Sequence, residues 1–162
     1  MIPRTPLPTG ARAAFHARPG PPAGTAPVLV IDGEPRGATT TMRWLAEAGY
    51  PTAAEADGDA VLRLVRAELM RLVVSELYIP CAEGPCVVAA LKQERARLPR
   101  LRVLVHSRHT TLADDAWGLA AGADGVLHKP ASAGALVREV RRLEGADAVE
   151  PSAGTDRGRS EP

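Results

Sequence analysis

The residues of this chain with the means to do chemistry come in four small groups, each directly after an apolar run. Asp32-Gly33-Glu34 follows Val28 to Ile31, Ser75-Glu76 and Tyr78 follow Leu72 to Val74, His106-Ser107 follows Val103 to Val105, and His128-Lys129 follows Gly125 to Leu127. Acids, a hydroxyl and an ammonium at such positions are the ingredients of one polar cleft. Lys129 draws particular notice: of 20 basic residues only Lys92 and Lys129 are lysines, so a compact ammonium is called for where the chain otherwise uses Arg. An ion pair from Lys129 to Glu76 or Asp32 is the expected contact. Cys81 and Cys86, with His106 and His109, have the donor types of a zinc site, but the C-x4-C spacing is at the edge of the usual pattern and the histidines are remote. A redox pair across the Gly84-Pro85 turn is a second reading, and two ordinary reduced thiols are the favoured one.

The elements that must position these groups follow from hydrophobic period. Short apolar runs at 28–31, 72–74 and 103–105 suit strands buried on both faces, with a weaker strand at 52–56 and a fifth at 125–128. Between them helical spacing is found at 39–48, at Val61, Leu62 and Val65, at Val88, Ala89 and Leu91, at Leu112, Ala116, Leu119 and Ala120, and at Leu136, Val137, Val140 and Leu143. Gly49 and Gly122 are the expected helix stops. Strict strand–helix alternation predicts an α/β fold, a doubly wound five-stranded parallel sheet with helices on both faces. In such sheets chemistry gathers beyond the carboxyl ends of the strands, where all four groups fall.

Composition bounds the rest. The 162 residues carry 20 Lys+Arg against 19 Asp+Glu, so the whole-chain charge marks neither a nucleic-acid nor a membrane partner. Two cysteines make no disulfide scaffold, no apolar stretch reaches a membrane span of roughly 18 residues, and the Pro-rich start lacks the core of an export signal. A cytoplasmic location is expected. Residues 1–26 and 145–162 are rich in Pro, Gly and Ala or in polar residues and are read as a disordered arm and tail around one domain at 27–144. Lys92, Arg95, Arg97, Arg100 and Arg102 form a basic run without interleaved aromatics, which reads as a solvated face. Trp117 lies beside the apolar stripe of its helix, placing its ring at the helix flank or at a partner contact.

Five stretches in order resemble the response-regulator receiver domain, over residues 27–144. They are VLVIDGEP, AGYPTAAEADGDAVLRLV, LVVSELYIPCAEG, VLVHSRH and AAGADGVLHKP. The resemblance implies a flavodoxin-like (βα)5 receiver fold. It also implies phosphoryl transfer from a histidine kinase to an aspartate, followed by rearrangement of the fourth helix, fifth strand and fifth helix. In the family the reaction uses an aspartate, an acidic pair that binds Mg²⁺, a hydroxyl and a lysine; Ser107 matches the hydroxyl and Lys129-Pro130 the lysine with its usually cis proline.

Three positions depart from that pattern. The phosphoacceptor position holds Glu76, whose extra methylene moves the carboxylate by about 1.5 Å, and misplacement on that scale can cost roughly a hundredfold in rate. The acidic pair retains Asp32 but has Gly33 where the family places the acid that contacts the metal, so Mg²⁺ binding is weakened and no cofactor is expected. The aromatic switch position holds Val126. Together these imply a stand-alone atypical receiver, not an enzyme, acting in signal transduction by phosphorylation-independent protein–protein interaction. Its expected partner is a protein or a second copy on the fourth helix, fifth strand and fifth helix, with no direct nucleic-acid contact; no output domain is expected after the last helix. Two other readings are a phosphorylatable response regulator of a two-component system, and a small-ligand sensor using the strand-end crevice beside Gly33 and Val126.

Overall fold

The computed structural model describes residues 27–145 except residue 68; the expected arm 1–26 and residues 146–162 of the expected tail lie outside the described residues, while Gly145, expected in the tail, ends the last helix. Five strands alternate with five helices: β1 Val28–Ile31, α1 Pro35–Glu47, β2 Thr52–Glu55, α2 Gly58–Arg66, β3 Leu72–Ser75, α3 Val87–Glu94, β4 Arg102–Ser107, α4 Leu112–Ala121, β5 Gly125–His128 and α5 Ala133–Gly145. All neighbouring strands pair in parallel, in the order β2-β1-β3-β4-β5. The doubly wound sheet expected from the alternation is therefore present, with the weak strand at its edge.

The continuous apolar runs are explained by burial on both faces. Leu29, Ile31, Val73, Val103 and Val105 face a core shared with α2, α3 and α4, while Val28, Val30, Leu72, Val74 and Leu104 face one shared with α1 and α5. Each fully buried Leu, Ile or Val contributes roughly 1.5–3 kcal/mol of transfer free energy.

Local sequence sets the helix ends. Pro35 stands at the start of α1, where its fixed φ suits a first turn, so the helix begins four residues before the apolar period becomes visible at Thr39. Gly49 follows α1 with φ 94°, and Gly122 closes α4 with φ 120°. Asp57 caps α2, its side chain accepting from the Asp59 N–H at 2.9 Å. Thr111 and Asp114 form a reciprocal capping box on α4.

One helix is rotated relative to its apparent stripe. The sequence places Leu112, Ala116, Leu119 and Ala120 inward, yet Leu112 is 88% and Leu119 52% exposed, and both alanines are also exposed. The inward face is instead built from Gly118, Trp117 and Ala121. Gly118 decides this: a β-carbon there would lie 3.2 Å from Leu77 Cδ1, so the helix backbone comes closer to the core than a larger residue permits. A ten-residue helix with apolar residues on several faces has no single stripe for periodicity to find. The basic run is likewise more than a solvated face, because Lys92 Nζ donates to the Ala120 carbonyl at 3.1 Å and Arg95 donates to the Gly122 carbonyl at 2.7 Å. Both cations sit at the C-terminal end of α4, where carbonyls lack helical partners.

Candidate functional site: an acid–lysine cleft at the strand ends

Register brings the four chemical groups together. Ile31 is opposite Ser75, Ser75 opposite Val105, and Ser107 opposite His128, so Asp32, Glu76, Ser107 and Lys129 all emerge at one edge of the sheet. The cleft lies beside the β1–β3 boundary, where the strand order reverses.

Its centre is a cation between two carboxylates. Lys129 Nζ donates to Asp32 Oδ2 at 2.6 Å and to Glu76 Oε2 at 3.0 Å, so it meets both of the acids expected from sequence. The three side chains are between 5 and 16% exposed, so solvent screens the contacts little. The remaining oxygens are also engaged: Asp32 Oδ1 accepts from the Glu34 N–H at 2.8 Å, and Glu76 Oε1 from the Leu77 N–H at 3.1 Å. Burial by itself would raise the Glu76 carboxyl. The Ser107 hydroxyl, the Lys129 ammonium and the Leu77 amide outweigh it and hold the group below the ordinary carboxylate value.

Close packing fixes the walls. Gly37, in the first turn of α1, lies against the Asp32 carboxylate, which a β-carbon there would overlap. Gly33 is different: a β-carbon at that position meets only Ile79 Cδ1 at 3.9 Å, so open space stands where a second acid would go. Ser107 is fully buried, and its Oγ accepts from the His109 N–H at 3.0 Å. The Lys129–Pro130 peptide is cis. Val126 is half-buried and packs with α4 against the core, its Cγ2 facing Gly118.

Other residues singled out from sequence go elsewhere. Cys86 is buried in the core at the start of α3, and Cys81 sits in the short bridge to Gly84. His106 lies on the α1 side of the sheet near Thr41, while His109 packs on Tyr78. Among the described residues no three His, Cys, Asp or Glu side chains converge as a metal-holding group. Ser75 donates to the Glu76 carbonyl at 2.7 Å, and His128 Nε2 lies 2.7 Å from Asp115 Oδ1, outside the cleft.

Two sets of contacts around the cleft have no signal in the local sequence. Arg108, directly after β4, pairs with Glu34 and places a second cation at the cleft mouth. Tyr78, two residues after Glu76, reaches across to α4: its ring meets His109 edge-on at 4.7 Å and Trp117 at 5.2 Å, and its hydroxyl donates to Asp114 Oδ1 at 2.7 Å. The loop carrying Glu76 is thus tied to the start and the inner face of α4 by an aromatic latch. Trp117 is half-buried there, as its flanking position on the helix implied.

A five-stranded doubly wound sheet with acids, a hydroxyl and a lysine at its carboxyl edge defines a receiver-type signalling domain. A sequence model of the response regulator receiver domain matches residues 28–141, and the chain belongs to that family. It is 33% identical over 118 residues to the transcriptional activator protein ExaE of Pseudomonas putida, covering 72% of this chain and 54% of that one. It is 32% identical over 116 residues to the transcriptional regulatory protein PrrA of Mycobacterium tuberculosis, covering 72% and 48%. The chain thus spans about half the length of these curated relatives. Among solved structures, the NarL signal receiver domain from Mycobacterium tuberculosis superposes with a TM-score of 0.64 at 29% identity, covering 74% of this chain and 96% of that one. Vibrio cholerae chemotaxis protein CheY4 has the same fold, with a TM-score of 0.64 at 23% identity over 74% and 98%. Among the described residues no helix is long and apolar enough to cross a membrane.

Proposed function

We propose that this receiver domain works as an atypical, phosphorylation-independent signalling module whose output is association with a protein partner or a second copy. The observation that carries the reading is Lys129 held between Asp32 and Glu76, with a glutamate at the acceptor position and no acid at Gly33. Phosphoryl transfer requires an in-line nucleophile and neutralisation of the phosphoryl oxygens. Here the carboxylate is one methylene too long, and its charge is already answered by an ammonium.

The residues fit Mg²⁺ poorly. Asp32 is the one retained member of the acidic pair, and each of its oxygens already accepts a hydrogen bond, one from Lys129 and one from the Glu34 amide. Magnesium in a nearly octahedral shell is usually held by one or two carboxylates plus substrate phosphates. The cation between the two carboxylates is Lys129.

Exposed apolar side chains favour the α4 side. Leu112 and Leu119 are large apolar side chains turned outward on α4, and burying them on a partner contributes as any apolar surface does. The surface of α4, β5 and α5 is the proposed contact. A fixed Glu76–Lys129 charge pair, with Val126 in place of an aromatic ring, gives this surface one conformation; a phosphoryl group would bring nearer two charges, so the imitation is partial.

Intact-mass spectrometry after incubation with acetyl phosphate and Mg²⁺, beside a conventional receiver, tests the reading. No added phosphoryl mass is expected. An addition that disappears in Glu76→Gln would instead establish the phosphorylatable response regulator.

A further inference from the structure

A cavity of about 210 Å³ opens at the amino-terminal edge of the sheet, the end opposite the acid–lysine cleft. Two loops enclose it: Met70 and Arg71, directly before β3, and residues 97–101, directly before β4. Backbone and side-chain bonds fix these loops to each other and internally. The Arg102 N–H donates to the Arg71 carbonyl at 2.8 Å and the Leu101 N–H to the Leu98 carbonyl at 2.9 Å. The Arg102 guanidinium donates to the carbonyls of Pro99 at 2.9 Å and Leu101 at 3.2 Å. An occupant meets loops that are already ordered, which lowers the cost of binding.

The lining is of two kinds. Met70, Leu98, Pro99 and Leu101 are apolar; Leu101 is buried, and Met70 and Leu98 pack against the core. Leu69, one residue before Met70, is 56% exposed and adds apolar surface to the same loop. The other three lining residues, Arg71, Arg97 and Arg100, are exposed cations, and no acid lines the space. Arg97 reaches Glu94 only at 3.8 Å, and the guanidiniums of Arg71 and Arg100 have no hydrogen bond or ion pair among the described residues. Elsewhere Arg66, Arg95, Arg108 and Arg142 are each answered by a carboxylate.

Apolar surface beside unanswered guanidiniums selects the chemistry of the occupant. A bare anion makes no use of the apolar part, and a neutral apolar ligand makes none of the arginines. Nucleic acid would bring phosphates, but no aromatic side chain lines the space to stack a base. The volume is below the roughly 300 Å³ at which small-molecule pockets begin, and it suits one inserted apolar side chain.

We propose that this cavity is a docking site for an acidic peptide segment of a protein partner. An apolar side chain of that segment enters against Met70, Leu98 and Leu101, and Asp or Glu residues on either side of it pair with Arg71, Arg97 and Arg100. Arginine suits the role because its planar fork binds a carboxylate through two N–H groups. The site shares no residue with α4, β5 and α5, so it is a second interaction surface, and it stands or falls independently of the function proposed above.

The test is a titration of the ¹⁵N-labelled full chain, at low ionic strength, with a pool of end-blocked pentapeptides carrying Leu, Ile, Met or Phe at the centre and two acids on each side. Saturable shifts of the Arg71, Leu98, Arg100 and Leu101 amides are expected, with the Glu76 and Lys129 amides unmoved. The same peptides with serine at the centre are expected to bind roughly tenfold more weakly, and those with lysines in place of the acids not at all. Arg71→Ser combined with Arg100→Ser, both at exposed positions, is expected to weaken binding roughly tenfold or more with the urea midpoint unchanged. Absence of shifts, equal binding of the serine-centred peptides, or full binding by the double variant would each overturn the proposal. Equal shifts of the same amides with oligothymidylate would assign the patch to nucleic acid, and shifts on dilution of the protein alone would assign it to a second copy; either result also overturns it.

Discussion

Replacing Lys129 by Met keeps most of the side chain's length and apolar stem but removes the charge that joins Asp32 to Glu76. In the native protein the ammonium lies 2.6 and 3.0 Å from the two carboxylates, and all three groups are at most 16% exposed. Removing one partner of a buried pair typically costs 3–5 kcal/mol, because the charge left behind is neither solvated nor paired. Taking the lower end, since the cleft opens at the surface, Lys129→Met is expected to lose about 3 kcal/mol at pH 7, or roughly 10 °C in Tm for a domain of this size. The pH dependence carries the sharper test. In the wild type Glu76 is held below its ordinary value, so its contribution is present above the unfolded pKa and fades as pH falls through the folded one. In the variant, desolvation and the Asp32 charge act on Glu76 without an opposing cation, and its carboxyl moves upward. The native state then takes up a proton before the unfolded state does, so the deficit should shrink by about 1 kcal/mol or more between pH 7 and 5.5. Urea unfolding at the two pH values measures this. Adding Glu76→Gln to Lys129→Met should restore part of the loss at pH 7, because one of the two stranded charges and its repulsion with Asp32 are gone. A Lys129→Met protein as stable as wild type, or one whose deficit is the same at both pH values and unrelieved by Glu76→Gln, would show that the ammonium does not hold the two carboxylates.

Other predictions concern separate parts of the molecule. His106, lowered to about 4 by burial and then by Lys129, stays neutral in the fold while the unfolded chain protonates below about 6.5; stability is therefore full above that pH and lost on acidification toward 4, by up to about 3 kcal/mol, and urea midpoints of His106→Phe should lose correspondingly less over that range. Gly33→Asp with Glu76→Asp should introduce metal-dependent labelling by acetyl phosphate, since Gly33 has open space for the new side chain; intact mass reads the gain. Tyr78→Phe should leave the urea midpoint nearly unchanged, because its bond to Asp114 is exposed to solvent, while Tyr78→Ala should uncover Trp117 and shift its emission to the red. Gly58→Ala should lose about 2 kcal/mol or more in urea unfolding, because its methyl overlaps the Pro80 carbonyl, a backbone group that moves only with its loop.

The order of strands and helices, the helix stops at Gly49 and Gly122, the parallel sheet and the convergence of Asp32, Glu76, Ser107 and Lys129 were all legible in the chain itself. These depend on local signals: a strand buried on both faces must be apolar throughout, a left-handed stop favours glycine, and a residue directly after a parallel strand must emerge at the carboxyl edge. Even the Lys129 bridge could be anticipated, because only a few charged groups reach that edge. What tertiary structure alone decided is which faces and which distant atoms meet. The rotation of α4 turned on the close approach of Gly118 to Leu77, and the latch of Tyr78 on Trp117 and Asp114 joins positions more than thirty residues apart. The pairing of Arg108 with Glu34 and the burial of His106 Nε2 without a partner among the described residues are of the same kind. Hydrophobic period records that a side chain is buried; which neighbour it touches, and whether a buried polar atom finds a partner, depend on packing between elements that no local pattern encodes.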